Sequence, residues 1–374
     1  MDGNSKVVRS PLVRIKELPV SIQEQEVISR VAGRYPFRLT QHYARLINWD
    51  NPQDPIRRIV IPDQSELDDW GSWDASEEHL YTPIRGLEHK YRNTALLLVN
   101  DICGSFCRFC FRKRLFQEDN FEALRLNHLA LEYIRAHPEI TNVLLTGGDP
   151  LFLTTKDIKL LITELVRGTH IRLIRFGSKM AAFDPERITS DRSLHELFRS
   201  LSDAGVRVNM MVHFNHPREF TDETISALAN LSSAGVILYN QTPLIRGVND
   251  CKEVLRELLE KCVQHRIVPY YVFQVRPTIG NKGFQMPLLE AFSVTRDCVV
   301  GAPGFLRTFR LIMSHKIGKI EVLHVDKTQG IFRVHEATDE TMFGRILHGT
   351  AIKADAAWLD DFAIEKDGVS RPIL

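Results

Sequence analysis

The chain lacks any apolar run that approaches the roughly 20 residues of a membrane-spanning helix. Its first segment, Met1 to Lys16, is polar and charged and contains no apolar core of the kind that marks a signal peptide. Basic and acidic side chains nearly cancel, which leaves a formal net charge of +1 and no overall field that favours nucleic acid or an anionic membrane. We therefore expect a cytoplasmic protein without those partners.

Cysteine is scarce, with six residues in a chain of 374, and this argues against a disulfide framework. Three of the six nevertheless fall within eight residues, as Cys103, Cys107 and Cys110 with C-x3-C-x2-C spacing. Structural zinc usually takes four ligands, as two closely spaced pairs or as one pair with histidines, and no second cysteine pair follows. An iron–sulfur cubane held by only three cysteines leaves one iron open to a cofactor or substrate. The spacing therefore favours an iron–sulfur cluster over zinc.

Short apolar runs alternate with amphipathic segments from Thr94 onward. The alternation predicts six strands, at residues 94–99, 142–145, 171–176, 207–212, 237–241 and 270–274. It predicts helices between them, at residues 124–136, 155–167, 193–204, 221–234 and 252–265. Strands separated by helices of about ten residues or more are typical of a parallel α/β sheet. We predict a partial (β/α)6 TIM-like barrel, in which functional residues gather at the C-terminal ends of the strands.

We expect three regions along the chain. Residues 1–93 are punctuated by prolines and are expected to form a mostly helical N-terminal layer. Residues 94–280 would form the barrel, and residues 281–374 a C-terminal extension with strands at 306–313 and 319–325. The charged tail from Asp355 to Leu374 is expected to be a solvated end, with a subunit arm as the alternative.

The three-cysteine run, with Phe109 just before the third cysteine, resembles the signature of the radical S-adenosylmethionine enzymes. The stretch from Leu96 to Arg114 is similar to the lysine 2,3-aminomutase family in particular. Further segments resemble that family in the same order along the chain: Tyr35–Leu39, Asp54–Arg58, Thr146–Pro150, His213–Pro217, Gly247–Asp250 and Pro269–Tyr271. The resemblance implies a radical SAM partial barrel, a [4Fe–4S] cluster on the three cysteines, S-adenosyl-L-methionine, an electron donor such as flavodoxin or ferredoxin, and a homo-oligomer.

The resemblance also assigns residues to S-adenosylmethionine. They are Gly147, Gly148, Asp149, His213 and Gln241. A Gly-Gly turn after a strand lets the backbone amides come close to a polar group, because glycine has no Cβ. One electron from the cluster would cleave S-adenosylmethionine to a 5′-deoxyadenosyl radical, which abstracts a hydrogen atom from the substrate.

Members of this family also use pyridoxal 5′-phosphate, held as an imine to a lysine that follows a glycine-rich run. Lys319 is the best match here, with Lys316 as a competitor, although bulkier residues replace the glycine run. On the phosphate side, Lys90 and Tyr91 match the family, and Thr94 stands where a second arginine is usual. The resemblance therefore implies pyridoxal phosphate on Lys319, with Lys90 and Tyr91 beside it.

The expected substrate follows from two further positions. Arg112 matches the family arginine that grips the α-carboxylate of the substrate through a bidentate pair. Where lysine-specific members carry two aspartates for the side-chain ammonium, this chain has Arg276 and the apolar run Leu311–Met313. An ammonium beside Arg276 would meet like charge. We expect a small-molecule amino-acid substrate other than free lysine, with an acidic or neutral side chain.

Three functions remain open at this point. The first is a radical 2,3-aminomutase that moves the α-amino group of a free amino acid to the β-carbon. The second is an enzyme on the same scaffold, without pyridoxal phosphate, that abstracts hydrogen for dehydrogenation or epimerisation. The third is an aminomutase that modifies a residue of a partner protein such as a translation factor.

Overall fold

The structure is a computed structural model, which describes residues 9–117, 120, 122–123, 128–366 and 369–372. The helices are α1 Ile22–Ala32, α2 Gln41–Ala44, α3 Pro55–Val60, α4 His128–Ala136, α5 Thr155–Gly168, α6 Met180–Phe183, α7 Glu186–Thr189, α8 Arg192–Asp203, α9 Asp222–Ser233, α10 Lys252–Gln264 and α11 Leu288–Asp297. The strands are β1 Leu87–Tyr91, β2 Thr94–Asn100, β3 Asn142–Gly147, β4 Leu173–Ser178, β5 Arg207–Val212, β6 Ile237–Leu244, β7 Ile267–Gln274, β8 Arg310–His315, β9 Gly318–Val325, β10 Gln329–Ala337, β11 Ile346–Ala351, β12 Phe362–Lys366 and β13 Val369–Pro372. Of the predicted helix 124–136, residues 124–127 lie outside the described residues. No helix in the described ranges is long and apolar enough to cross a membrane.

Seven consecutive parallel strands, β2 to β8, form the centre of a mixed sheet. The six predicted parallel strands are all present as β2 to β7. The predicted count is one short, because β8 lies parallel to β7 and does not belong to a separate extension. The reason is α11, which follows Pro287 and buries Leu288, Ala291 and Thr295. This helix makes the connection from β7 to β8 one more crossover of the kind that joins parallel strands.

The N-terminal region is less helical than predicted. Its described residues, 9–93, form the three α-helices α1 to α3 and three short 3-10 turns, joined by irregular segments. Residues 87–91, which the prediction assigns to the helical layer, form β1 and pair antiparallel with β2. Lys90 and Tyr91 therefore belong to the sheet, where β1 lies next to the first strand of the parallel set.

Beyond β8 the sheet continues antiparallel through β9 to β13. The predicted strand 319–325 is present as β9. The prediction of a solvated tail is wrong for residues 356–364, because Trp358, Leu359, Phe362 and Ile364 are buried and β12 pairs with β11. These apolar side chains are interspersed among charges, so the composition of the tail concealed them. Residues 367–368 and 373–374 of the tail lie outside the described residues.

The two faces of the parallel sheet differ in polarity. Along β4, β5 and β6, buried side chains alternate with partly exposed ones, as the two-residue period of a strand requires. The buried set joins a core with the apolar faces of helices such as α5 and α8. The partly exposed set on the inner face includes polar side chains from three strands: Arg175, Asn209, Tyr239 and Gln241. The inner face can therefore receive a polar ligand.

Main-chain bonds tie together the segments that follow β2 and β3. The N–H of Gly148 donates to the carbonyl of Asn100 (2.7 Å), and the N–H of Asp149 donates to the carbonyl of Ile102 (2.8 Å). Gly147 has a φ of +117°, and a Cβ added at Gly148 would overlap the backbone of Ile102. This close approach requires glycine at both positions. It fixes the start of the loop that carries the three cysteines.

We expect Gly148→Ala to lower the free energy of unfolding by about 1–3 kcal/mol, as overpacking does, because the new methyl group would push the two segments apart. Chemical denaturation under anaerobic conditions measures this change. Gly304→Ala is the control, since a Cβ there meets nothing within 4 Å and should change stability by less than about 0.5 kcal/mol. Equal stability of the two variants would contradict this account of Gly148.

Candidate active site

The three cysteines lie in the loop after β2, at the C-terminal end of the parallel strands. Burial raises the pKa of Cys103, of Cys110 and of Cys107, the last to about 12, and the Cys110 thiol raises the pKa of the other two further. The three thiols are therefore close in space. Within the described ranges, no three His, Cys, Asp or Glu side chains surround one position for a single metal ion. A cubane does not need such a position, because each thiolate binds a different iron.

A buried ion network anchors the cysteine loop. Glu66 accepts hydrogen bonds from Arg108 Nε and Nη2 (2.8 and 2.9 Å) and from Lys113 Nζ (3.1 Å), and these three side chains are fully buried. Lys113 also donates to the carbonyl of Gly280. Burial lowers the pKa of Lys113 to about 8, although Glu66 opposes the shift. The network ties the loop to the N-terminal region and to the segment after β7. Sequence reasoning missed it, because Glu66 belongs to no motif.

The segment from Gly147 to Asp149 is occupied by protein groups. Its amides bind main-chain carbonyls, as described above, and the Asp149 carboxylate accepts hydrogen bonds from the Ser178 hydroxyl (2.8 Å) and the N–H groups of Lys179 and Leu151. Burial raises the pKa of Asp149 to about 6 against these hydrogen bonds. The assignment of Gly147, Gly148 and Asp149 to S-adenosylmethionine stays a prediction. In the structure the two glycines allow two protein segments to approach each other.

His213 and Gln241 lie on the inner side of the sheet, directly after β5 and within β6, and both are partly exposed. The ring centroid of His213 lies 6.0 Å from that of Phe109 in the cysteine loop. Burial, and then the positive charge of Lys179, lower the pKa of His213 to about 3. Lys179 Nζ donates to the carbonyl of His213 and to Glu219, both at 2.5 Å. The structure thus brings a neutral His213 to the cysteine loop and fixes its backbone.

One carboxylate, that of Glu78, binds three arginines. Its oxygens lie 3.4 Å from Nε and Nη2 of Arg112, 2.5 Å from Nη2 of Arg114 and 3.2 Å from Nη1 of Arg276. Although burial raises the pKa of Glu78, the three guanidinium groups together hold it well below its ordinary value. Arg276 also stacks on the ring of Phe111 at 3.8 Å. The two arginines predicted to bind substrate therefore meet at one buried anion.

A row of side chains across β8, β9 and β10 connects Arg276 with Lys319. Ser314 pairs with Lys319 in the strand register, and Lys319 pairs with Glu336. Arg276 donates to the Ser314 hydroxyl (2.8 Å), and the Lys319 ammonium contacts the Glu336 carboxylate. The same ammonium lies 4.0 Å from the ring centroid of Tyr91. Three predicted residues, from β1, β9 and the segment after β7, thus lie together.

Lys90 also reaches this region from β1. Its ammonium donates to the carbonyls of Ser76 (2.9 Å) and His315 (3.1 Å), and burial followed by repulsion from Arg276 lowers its pKa to about 8. Arg175 on β4 is the second cation near the row, and its buried Nε has no hydrogen-bond partner within the described part of the chain. Sequence reasoning missed Arg175, since it lies inside an ordinary strand pattern. Lys90 is therefore bound to main-chain carbonyls, whereas Arg175 keeps a free donor at Nε.

Comparison with known proteins identifies the scaffold. The sequence model of the radical SAM superfamily matches residues 97–259. A protein of Aquifex aeolicus described as a "Putative L-lysine 2,3-aminomutase" is 46% identical over 349 residues, which cover 93% of this chain and 92% of that protein. The chain belongs to the lysine 2,3-aminomutase family of radical SAM enzymes. The L-lysine 2,3-aminomutase of Clostridium subterminale is 34% identical over 77% of this chain and 69% of its own length. The glutamate 2,3-aminomutase of Clostridioides difficile is 31% identical over 75% of this chain and 65% of its own length.

This aminomutase is accordingly an isomerase, and its cofactors are a [4Fe–4S] cluster, S-adenosylmethionine and pyridoxal phosphate. The described side chains fit these groups. Three adjacent thiols suit a cluster with one iron free of protein ligands. Lys319 offers the amine that pyridoxal phosphate requires, and the free donor of Arg175 suits a phosphate or carboxylate. Once bound, the cluster and S-adenosylmethionine supply the hydrogen-abstracting radical, and pyridoxal phosphate delocalises the radical on the migrating nitrogen.

A second buried carboxylate, Glu88 on β1, lies beside Arg112 in the aminomutase. Its Oε2 is 3.6 Å from Nη2 of Arg112. Burial, and then repulsion from Glu78, raise the pKa of Glu88 to about 7. Neither Glu78 nor Glu88 was predicted as a site residue, because their segments carry no motif spacing. Only the fold brings these carboxylates to the arginines.

We expect Glu88→Gln to stabilise the aminomutase above pH 7. In the folded state the carboxyl keeps its proton up to about pH 7, whereas in the unfolded chain it ionises near pH 4.3. Glu88 therefore lowers the free energy of unfolding as the pH rises from about 4.3 to about 7. The neutral amide removes this loss, so the free energy of unfolding at pH 8 should rise by on the order of 3 kcal/mol.

Urea denaturation of wild type and variant between pH 4 and pH 8 measures the effect, and the pH dependence of the variant should be flatter. Glu340→Gln serves as the control, because that exposed carboxylate pairs with Arg92 at the surface and such pairs contribute little. A Glu88→Gln variant less stable than wild type at pH 8 would refute the raised pKa.

Proposed function

We propose that the chain is a 2,3-aminomutase for a small free α-amino acid with an acidic side chain, such as glutamate or aspartate. A neutral side chain is the second choice, and the proposal is for a substrate other than free lysine. The observation that carries this proposal is the position of Arg276. Its guanidinium lies between Glu78 and Ser314, on the face that holds Lys319.

Electrostatics supports an anionic side chain over a cationic one. Arg276 pairs with the buried carboxylate of Glu78, which Arg112 and Arg114 also bind. Lys90 and Lys319 add further positive charge nearby, since burial lowers the pKa of both and Arg276 lowers it further. The run Leu311–Met313 is buried and offers no carboxylate for an ammonium. A lysine side chain here would meet like charge, at a cost of up to several kcal/mol. A carboxylate would gain a charge-assisted hydrogen bond.

The relatives support an acidic substrate without deciding it. The family includes a protein named glutamate 2,3-aminomutase, at 31% identity to this chain. Relatives named for lysine have similar or higher identity, at 46% and 34%. Overall identity therefore does not select the side chain of the substrate. The charge of Arg276 supports an acidic side chain, because in the proposed site it acts directly on that side chain.

Arg112 is proposed to bind the α-carboxylate. Its contacts to Glu78, Thr146 and Glu88 all measure 3.4–3.6 Å. These are longer than the roughly 2.7–2.9 Å of a strong charge-assisted hydrogen bond. Arg112 is held in place by these contacts and keeps the capacity to bind a ligand more tightly. The two arginines would then fix both ends of a dicarboxylic amino acid.

The proposed substrate is a free amino acid because the site is enclosed. Arg112 is only 7% exposed, and the side chains of Arg276 and Lys319 are 17% and 18% exposed. A residue that is part of a partner protein would need a wide entrance to the site. Enclosure also excludes water from a radical that would react with almost any hydrogen donor. The remaining assignments are Cys103, Cys107 and Cys110 for the cluster, and Gly147, Gly148, Asp149, His213 and Gln241 for S-adenosylmethionine.

Arg276→Gln should separate acidic from neutral substrates. A hydrogen bond to a charged group contributes about 1.5–3 kcal/mol, so kcat/KM for glutamate or aspartate should fall roughly 10- to 100-fold. For alanine, which has no side-chain carboxylate, kcat/KM should change by less than about threefold. Anaerobic assays of β-amino acid formation give both values. Arg296→Gln, at an exposed arginine that pairs with Asp297, is the matched control. Equal losses for all substrates would remove Arg276 from substrate recognition.

Lys319→Ala should abolish stoichiometric pyridoxal phosphate, because it removes the amine that forms the imine. Lys316→Ala should retain the cofactor, since Lys316 lies in the turn between β8 and β9. Cofactor content is measured after gel filtration and borohydride reduction, with iron and sulfide content as the check on folding. Full retention in Lys319→Ala, with loss in Lys316→Ala, would transfer the role to Lys316.

A further inference from the structure

Lys319 and Glu336 form a direct ion pair at the centre of the proposed cofactor site. They face each other in the register of β9 and β10, and the Glu336 carboxylate contacts the Lys319 nitrogen. Both side chains are partly buried, with 18% and 31% exposure. This inference rests on the proposed function, in which the Lys319 nitrogen forms a covalent bond to pyridoxal phosphate. A carboxylate in contact with a bond-forming nitrogen can accept its proton and return it.

The other charged or titratable groups that act on Lys319 are poorer proton acceptors. Burial raises the pKa of Tyr91 well above its ordinary value, so its phenol stays protonated. His335 is a neutral base, but its Nε2 lies 2.9 Å from the Tyr271 hydroxyl, which occupies it. The remaining neighbours are cations: Lys90, Arg175 and Arg276. Glu336 is the anion among these described neighbours.

We propose that Glu336 is the proton acceptor and donor for Lys319 when this lysine forms and breaks its bond to the aldehyde carbon of pyridoxal phosphate. Lys319 starts as an ammonium, and Glu336 takes one proton. The freed lone pair forms the carbon–nitrogen bond while the carbonyl π electrons move to oxygen, which takes a proton from the same nitrogen. Glu336 then returns its proton to the departing hydroxyl, and water leaves. The products are a protonated carbon–nitrogen double bond, one water and the Glu336 carboxylate.

Burial and the Glu336 carboxylate have opposite effects on the pKa of Lys319, and both effects suit this role. Burial lowers the pKa of Lys319, and Glu336 raises it. Burial thus makes the amine easier to deprotonate, while the carboxylate keeps a positive nitrogen favourable both before and after bond formation. A cross-strand ion pair with a purely structural role does not need an ammonium whose pKa burial has lowered. Glu321 with Arg333 is such a pair on the same two strands, at 2.5 Å.

The rate of cofactor attachment tests the proposal without relying on turnover. Full-length cofactor-free protein with its cluster reconstituted is mixed with pyridoxal phosphate, and attachment at Lys319 is followed by visible absorbance and by borohydride trapping with mass spectrometry. Loss of a general acid–base group typically slows such a step by 10²- to 10⁴-fold, so Glu336→Gln and Glu336→Ala should be slowed roughly 100-fold at neutral pH. Added formate should restore a large part of the rate in Glu336→Ala.

Glu321→Gln is the matched control, and it should attach the cofactor at the wild-type rate. Wild-type attachment in Glu336→Ala, an equal slowing in Glu321→Gln, or the absence of formate rescue would each overturn the role of Glu336. Where Glu336→Ala does not fold, Glu336→Asp replaces it, with a slower rate expected and a wild-type rate contradicting the proposal. Trapping at a residue other than Lys319 in wild type would instead refute the assignment of Lys319 in the proposed function, on which this inference rests. The two failures are therefore distinguishable.

Discussion

The geometry of the candidate active site depends on the contacts between the buried carboxylate of Glu78 and three arginines. Three guanidinium groups, from two separate segments of the chain, would repel one another if they were brought together in a low-dielectric interior. Glu78 allows them to meet by offering hydrogen-bond partners to Arg112, Arg114 and Arg276. Removing one member of such a cluster leaves an uncompensated buried charge, which typically costs about 3–5 kcal/mol. The irregular N-terminal region is therefore part of the site and not a cover over it.

The cysteine loop is held by the same kind of contact. There, too, an acid from the N-terminal region, Glu66, binds two cations of the loop, Arg108 and Lys113. The parallel sheet and its loops supply the cations and thiols, and the N-terminal segments supply anions that hold them. Each of these two acids binds more than one cation, so the cations outnumber the acid in both clusters. Donors on Arg112 and Arg175 stay free for negatively charged ligands.

The sequence predicted those parts of the molecule that rest on local pattern. The six strands from β2 to β7 follow from the hydrophobic period. The family resemblance selected Arg112, Arg276 and Lys319, whose roles stay predictions. Contacts between distant segments were missed: Glu66, Glu78 and Glu88 lie in segments without a motif, and only the tertiary fold brings them to their partners. The strand β8 was expected outside the barrel because α11 is a short helix within a long connection. The assignment of Gly147 and Gly148 to S-adenosylmethionine stays a prediction, and the backbone approach that these glycines accommodate is one that no local pattern reveals.

The central claim is that this member of the lysine 2,3-aminomutase family acts on an acidic amino acid. A competition experiment tests it most directly. Reconstituted enzyme with S-adenosylmethionine, pyridoxal phosphate and reductant is given equal concentrations of L-glutamate, L-aspartate, L-alanine and L-lysine under anaerobic conditions, and each β-amino acid is quantified by mass spectrometry. The account predicts that the β-isomer of a dicarboxylic amino acid dominates the products. Predominant β-lysine would contradict it, because an ammonium would then bind where Arg276 lies.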